Sequence, residues 1–92
     1  MIVRILGEGQ FNVDDSAKDE LNRIDAELAT AVDRDDEAAA SAALSGLIAI
    51  VHKVGSQAPA DSLEPSDVIL PYEGATMAEV RKLLTDDGLI PG

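Results

Sequence analysis

The chain opens on Ile2, Val3, Ile5 and Leu6, a short run led by β-branched residues. After Gly7-Glu8-Gly9 it alternates polar and apolar through Gln10-Phe11-Asn12-Val13. Two short strand patterns joined by a glycine-containing loop predict a β-hairpin. A lone hairpin is marginal in water, so its apolar face must lie on helices. The period then changes: Ala17, Leu21, Ile24, Leu28, Ala31 and Val32 recur at spacings of three and four, which predicts an amphipathic helix. Asp14, Asp15 and Ser16 offer N-caps for it, and Ser16 with Asp19 imitates a capping box. Lys18, Asn22, Arg23 and Thr30 fall outside the apolar stripe, and Asp19 stands four residues before Arg23, a spacing that favours an ion pair.

The polar cluster Asp33-Arg34-Asp35-Asp36 interrupts this pattern before a second helix, predicted from about Asp36 to Val54 and ended by Gly55 as a left-handed cap. So short a link makes the two helices antiparallel neighbours. On the second helix Leu44, Leu47, Ile48, Val51 and Val54 share a face, with Ile50 on its flank and Gly46, Ala49 and Lys53 behind. Its alanine-rich first half has high helix propensity and lets a neighbour approach closely. The breadth of this apolar surface implies contact on two sides, one of them the first helix.

From Ser56 to Gly74 the chain reads as a connector, because Pro59 and Pro65 break any helix before them. Within it Val68-Ile69-Leu70, ahead of Pro71, reads either as a third strand beside the hairpin or as one short helical turn. Thr76 followed by Glu79 is a capping box, so a third, shorter helix is predicted from about Met77 to Thr85 and stopped by Asp86-Asp87-Gly88. The expected fold class is α+β and mostly helical: an N-terminal β-hairpin, an antiparallel helical hairpin and a short C-terminal helix in one domain spanning residues 1–92.

Composition narrows the picture further. Hydrophobic residues make up 46% of the chain but aromatics only 2%, so the core must be built from Leu, Ile, Val and Ala. A core of that kind supports roughly 3 to 6 kcal/mol of stability, which dimerisation would supplement. A net charge of −11 repels a nucleic-acid backbone and an anionic lipid surface alike. Part of that acidity serves the two helix starts, where carboxylates meet the positive end of the helix dipole. The absence of cysteine excludes disulfides, thiolate nucleophiles and cysteine metal sites together. The opening residues lack the pattern of a secretory signal, and the weakly polar run from Ala38 to Val51 is shorter than the ~20 residues a membrane span needs. The expected setting is cytoplasmic, with no membrane insertion and no nucleic-acid partner.

Candidate chemistry is sparse. His52, the one histidine, lies near the end of the second helix and off its apolar stripe, which predicts a structural role close to the negative end of the dipole. Asp33-Arg34-Asp35-Asp36-Glu37 superficially resembles a calcium loop, but Ala38 stands where the loop glycine belongs and Leu44 where the twelfth-position glutamate belongs. Gly7-Glu8-Gly9 carries no Lys-Ser/Thr after it, and its glutamate would repel phosphate, so it reads as a turn. The serines at 16, 41, 45, 56, 62 and 66 share a single histidine and have no supporting nucleophile motif. The expectation is a non-enzymatic chain with no cofactor and no metal site.

Longer stretches carry a resemblance. The start Met1-Ile2-Val3-Arg4-Ile5-Leu6-Gly7-Glu8-Gly9-Gln10-Phe11, the segment Glu20-Leu21-Asn22 to Ile24-Asp25, the segment Leu63 to Pro71 (LEPSDVILP), and Glu79-Val80-Arg81 to the ending Gly88-Leu89-Ile90-Pro91-Gly92 together resemble the PspA-associated protein family PspAA, end to end. The resemblance implies small accessory proteins, mostly of actinobacteria and archaea, encoded beside PspA, the membrane-stress protein of the phage-shock response. It implies a regulatory or adaptor role through protein–protein contact with a PspA-like protein or another component of that system, with no catalytic or ligand-binding residues to carry over. The alternative is a small-ligand or metal sensor in the same system, and a third reading is a minor subunit of an enzyme. Large apolar residues in a loop and near the chain end nominate a partner-binding surface: Val68, Ile69, Leu70 and Tyr72 together with Leu89 and Ile90. The competing expectation is that both segments cover the small core.

Overall fold

The computed structural model describes residues 1–59, 65–84 and 88–90. Strand β1 (Ile2–Ile5) turns through Leu6-Gly7-Glu8 into β2 (Gly9–Val13). The two are antiparallel, with Val3 opposite Phe11 and Ile5 opposite Gly9. Gly7 and Gly9 take φ of +88° and +112°, which only glycine adopts without strain and which lets so tight a turn close. The predicted hairpin is therefore present, with its loop shifted by one residue.

A 3-10 turn, Asp15–Ala17, precedes α1 (Lys18–Asp33). Here the expected capping differs. The Asp14 carboxylate accepts from the Ser16 amide at 2.8 Å and caps the 3-10 turn, while Ala17 occupies the N-cap of α1 without a side-chain bond. Ser16 is drawn into the tighter turn and so does not pair with Asp19. The ion pair on this helix is Arg23 with Glu27, at 3.3 Å, and not the expected Asp19 with Arg23. That geometry is the same i,i+4 relation, taken toward the C-terminus.

Asp35, at φ +58°, makes the left-handed residue of the inter-helix turn, a conformation aspartate tolerates better than most side chains. Asp36 then caps α2 (Glu37–Val54), its carboxylate accepting from the Ala39 amide at 3.1 Å. Leu44, Leu47, Ile48 and Val51 of its apolar face are buried, but Val54 is 44% exposed because the chain leaves the helix at that point. Gly55 is extended (φ −90°, ψ 154°), not left-handed. Glycine is still required there: a Cβ would lie 2.5 Å from the Val51 carbonyl oxygen and 3.2 Å from a Val13 methyl. The chain passes straight from helix into a third strand, β3 (Gly55–Gln57), which pairs antiparallel with β2.

Val68–Leu70 is a strand, β4, lying parallel to β1 with Arg4 opposite Ile69. The sheet order is β3-β2-β1-β4, a mixed four-stranded sheet. Its inner face presents Val3, Ile5, Phe11, Val13, Val68 and Leu70 to the helices, and these join the stripes of α1 and α2 in one core. The last helix, α3 (Met77–Leu83), is capped by Thr76, whose hydroxyl accepts from the Glu79 amide at 3.3 Å. The helix ends at Leu83, short of the expected Thr85, because Leu84 is already extended (φ −74°, ψ 128°); the stop expected at Asp86-Asp87 lies outside the described residues. Arg81 of α3 reaches the turn between α1 and α2, where it donates to Asp35 at 2.5 Å and to the Val32 carbonyl at 3.3 Å.

Candidate functional site

The nominated partner-binding residues divide sharply. Val68 and Leu70 point into the core at 2% and 1% exposure, and Leu89 and Ile90 are buried as well, so these four are withdrawn from any contact surface. Strand alternation explains the first pair, since residues flanking Ile69 must face the helices when Ile69 faces outward. Ile69 and Tyr72 remain open, joined by Leu6, whose amide donates to the Leu70 carbonyl at 3.0 Å. Tyr72 lies close enough to Glu79 of α3 for that carboxylate to raise the pKa of its hydroxyl.

Leu89 and Ile90 are held by a residue the helical pattern conceals. Asp25 of α1 is 3% exposed, and its carboxylate accepts from the Leu89 amide at 2.9 Å and from the Ile90 amide at 3.1 Å. A buried carboxylate needs such donors, because an uncompensated charge in the interior is strongly unfavourable. Gly88, at φ +88°, brings the backbone so close that an added Cβ would overlap the Asp25 carboxylate. The C-terminal segment is thus latched to the middle of α1. A signal for this existed in the sequence: Asp25 stands four after Leu21 and three before Leu28, in register with the buried stripe.

His52 makes a contact other than the expected one with the helix dipole. Its Nε2 lies 2.6 Å from Glu8 Oε1, joining the end of α2 to the hairpin turn, and its ring packs tilted on Phe11 with centroids 5.6 Å apart. On the outer face of the sheet, Gln10 and Arg4 both donate to the Ser66 hydroxyl, at 2.8 and 3.4 Å. The connector returning toward β4 is thereby fastened across that face. Among the described residues no three His, Asp or Glu side chains converge as metal ligands would.

The Tyr72 hydroxyl is pushed up from the ordinary 10.0, first by its hydrogen bond to Glu79, then by desolvation and by the charge of Glu79. A raised folded-state value means that this contact is fully present below the unfolded value and is lost as pH rises through the folded one. Tyr72 is the one tyrosine and the chain has no tryptophan. An ultraviolet titration should therefore report it alone, with a midpoint above the ordinary value that falls in Glu79→Gln. Coincident titrations of the two proteins would remove the contact.

Another open feature is a furrow between α1 and α2. One stretch of it, about 470 Å³, is lined by Arg23, Ile24, Glu27, Ala39, Ala42, Ala43 and Gly46. An adjoining stretch of about 340 Å³ shares Glu27 and Ala39 and runs on to Arg34 and Asp36. Gly46 sits in mid-helix, and a Cβ there would meet Ile24 at 3.7 Å, an ordinary contact. Gly46→Ala should accordingly raise stability by about 0.5 to 1 kcal/mol in denaturant unfolding, through better helix propensity. A loss of stability would show that the backbone at Gly46 is strained. Among the described residues α2 is also the one helix long and apolar enough to cross a membrane, by length and composition alone, with a mean hydropathy of 1.3 over 18 residues. Its large side chains Leu44, Leu47, Ile48 and Val51 are buried in this fold.

The latch fixes the segment around Leu89 and Ile90 to the middle of α1. The model of one family, PspAA, the PspA-associated protein, matches residues 1–92. The chain belongs to the PspAA family. No curated protein and no solved structure matches it. For this PspAA-family chain, the match spans every element described above, from the hairpin through the helical pair to the latched segment. The family name places it in association with the PspA system.

Proposed function

We propose that this chain is a non-enzymatic adaptor or regulator of the phage-shock membrane-stress response, acting in the cytoplasm by direct contact with a PspA-like protein. The observation that carries this reading is the match over residues 1–92 to a family named for association with PspA. The chemistry of the surface supports it. The ionisable side chains with named partners make structural ties, as Glu8 does with His52, Arg81 with Asp35 and Asp25 with the C-terminal amides. A net charge of −11 directs the chain toward a basic protein surface and away from anionic lipid, so a link to membrane stress runs through a partner.

Affinity capture of the tagged chain from its native cells, after brief crosslinking, should bring down PspA or another component of that system in amounts that grow under membrane stress. Capture of no such component in stressed and unstressed cells alike would refute the reading.

A further inference from the structure

We propose that the cleft between α2 and α3 receives one arginine side chain of a protein partner. The inference rests on the reading of the chain as a contact protein, and it names the anchor point and the group that enters it.

The cleft encloses about 290 Å³ where the start of α3 meets the first turn of α2. Its lining is graded from apolar to polar. Ala40 and Val80, at 4% and 2% exposure, form the floor, and half-buried Ala75 and Met77 extend it. Glu37, Ser41 and Thr76 are exposed and make the rim. A group that satisfies both parts is apolar along its length and polar at its end, which describes a long basic side chain laid across the floor with its head at the rim.

The sign of the charge points the same way. Glu37 is the one ionisable residue of the lining among the described residues, so no base balances it there. Neither its carboxylate nor the Ser41 hydroxyl has a side-chain partner among the described residues. Arg81, next to Val80, is committed to Asp35 and the Val32 carbonyl. The positive ends of the two helices do not reverse the sign, because Asp36 accepts from the Ala39 amide and Thr76 from the Glu79 amide.

Among basic groups, a guanidinium fits best. It carries five donors in one plane, enough to meet the Glu37 carboxylate in a bidentate pair and the Ser41 hydroxyl as well. It is also more weakly hydrated than an ammonium, so it enters a half-apolar cleft at lower cost. Two copies of the chain, each at −11, repel one another, so the arginine comes from a different protein.

The test titrates the full chain, isotopically labelled, with N-acetyl-arginine amide and with its neutral isostere, N-acetyl-citrulline amide. The arginine compound should shift the amides of Glu37, Ser41, Ala75 and Met77 saturably, with a Kd on the order of 1 mM for so few atoms. Glu37→Gln should raise that Kd about three- to fivefold, the change expected of an exposed ion pair, whereas Glu20→Gln, an acid outside the cleft, should not. Ser41→Leu, which fills the cleft from an exposed helical position, should abolish the shifts, with circular dichroism confirming that it is folded. No saturable shift at those amides, equal binding of citrulline, or equal effects of Glu20→Gln and Glu37→Gln would overturn the cleft. In the cellular capture, a folded Ser41→Leu protein that brings down as much PspA as the wild type refutes the cleft alone. A wild-type chain that brings down no phage-shock component refutes the functional reading instead.

Discussion

Replacing Leu47 by alanine is expected to remove most of the stability of this protein. Leu47 is 0% exposed and stands at the centre of the α2 face that meets both α1 and the sheet. Truncating a leucine so enclosed costs about 2 to 5 kcal/mol, the transfer term plus the cavity left behind. A domain of this size has roughly 3 to 6 kcal/mol in total. The variant should therefore lose most of its denaturant midpoint, or be unfolded without denaturant. Val54→Ala, on the same predicted stripe but 44% exposed, should stay within about 0.5 kcal/mol of the parent. Equal effects at the two positions would mean that the core is not where the packing puts it.

Asp25→Ala should be the second most damaging change, by about 3 kcal/mol. It removes two hydrogen bonds to a charged acceptor and strands the amides of Leu89 and Ile90 in the interior. The signature is local as well as global: hydrogen exchange at Leu89 and Ile90 should accelerate more than at Leu28 or Leu47. Gly88→Ala should reproduce it, because the new Cβ combines an unfavourable positive φ with overlap on the carboxylate. Unchanged stability together with unchanged exchange at those two amides would show that Asp25 does not hold the segment.

These two sites also show which parts of the fold could be seen in the residues alone. Leu47 was visible because apolar residues at helical spacing can satisfy their periodicity only by sharing a buried face. The hairpin, both long helices and the Thr76 cap were visible for equally local reasons. Strand β3 was not: Gly55-Ser56-Gln57 is three residues long, polar and half exposed, and its pairing with β2 is set by where α2 delivers the chain. The parallel pairing of β4 depends likewise on long-range geometry, and that pairing buries Val68 and Leu70 while leaving Ile69 outside. Asp25 escaped because a carboxylate in a helix reads as solvent-facing, and only the tertiary structure supplies the two amides that make its burial tolerable. The alanine-rich first half of α2 announces close approach of a neighbour, but only the tertiary structure shows that α1 leaves Ala39 and Ala42 exposed beside it.

On the function proposed above, this chain acts by touching a protein of the PspA system. Mixing the purified chain with purified PspA and following both by sedimentation velocity is the most direct examination of that claim. The prediction is that the small acidic chain moves with the larger species, in a salt-dependent manner. Separate boundaries at every mixing ratio and at low salt would contradict it.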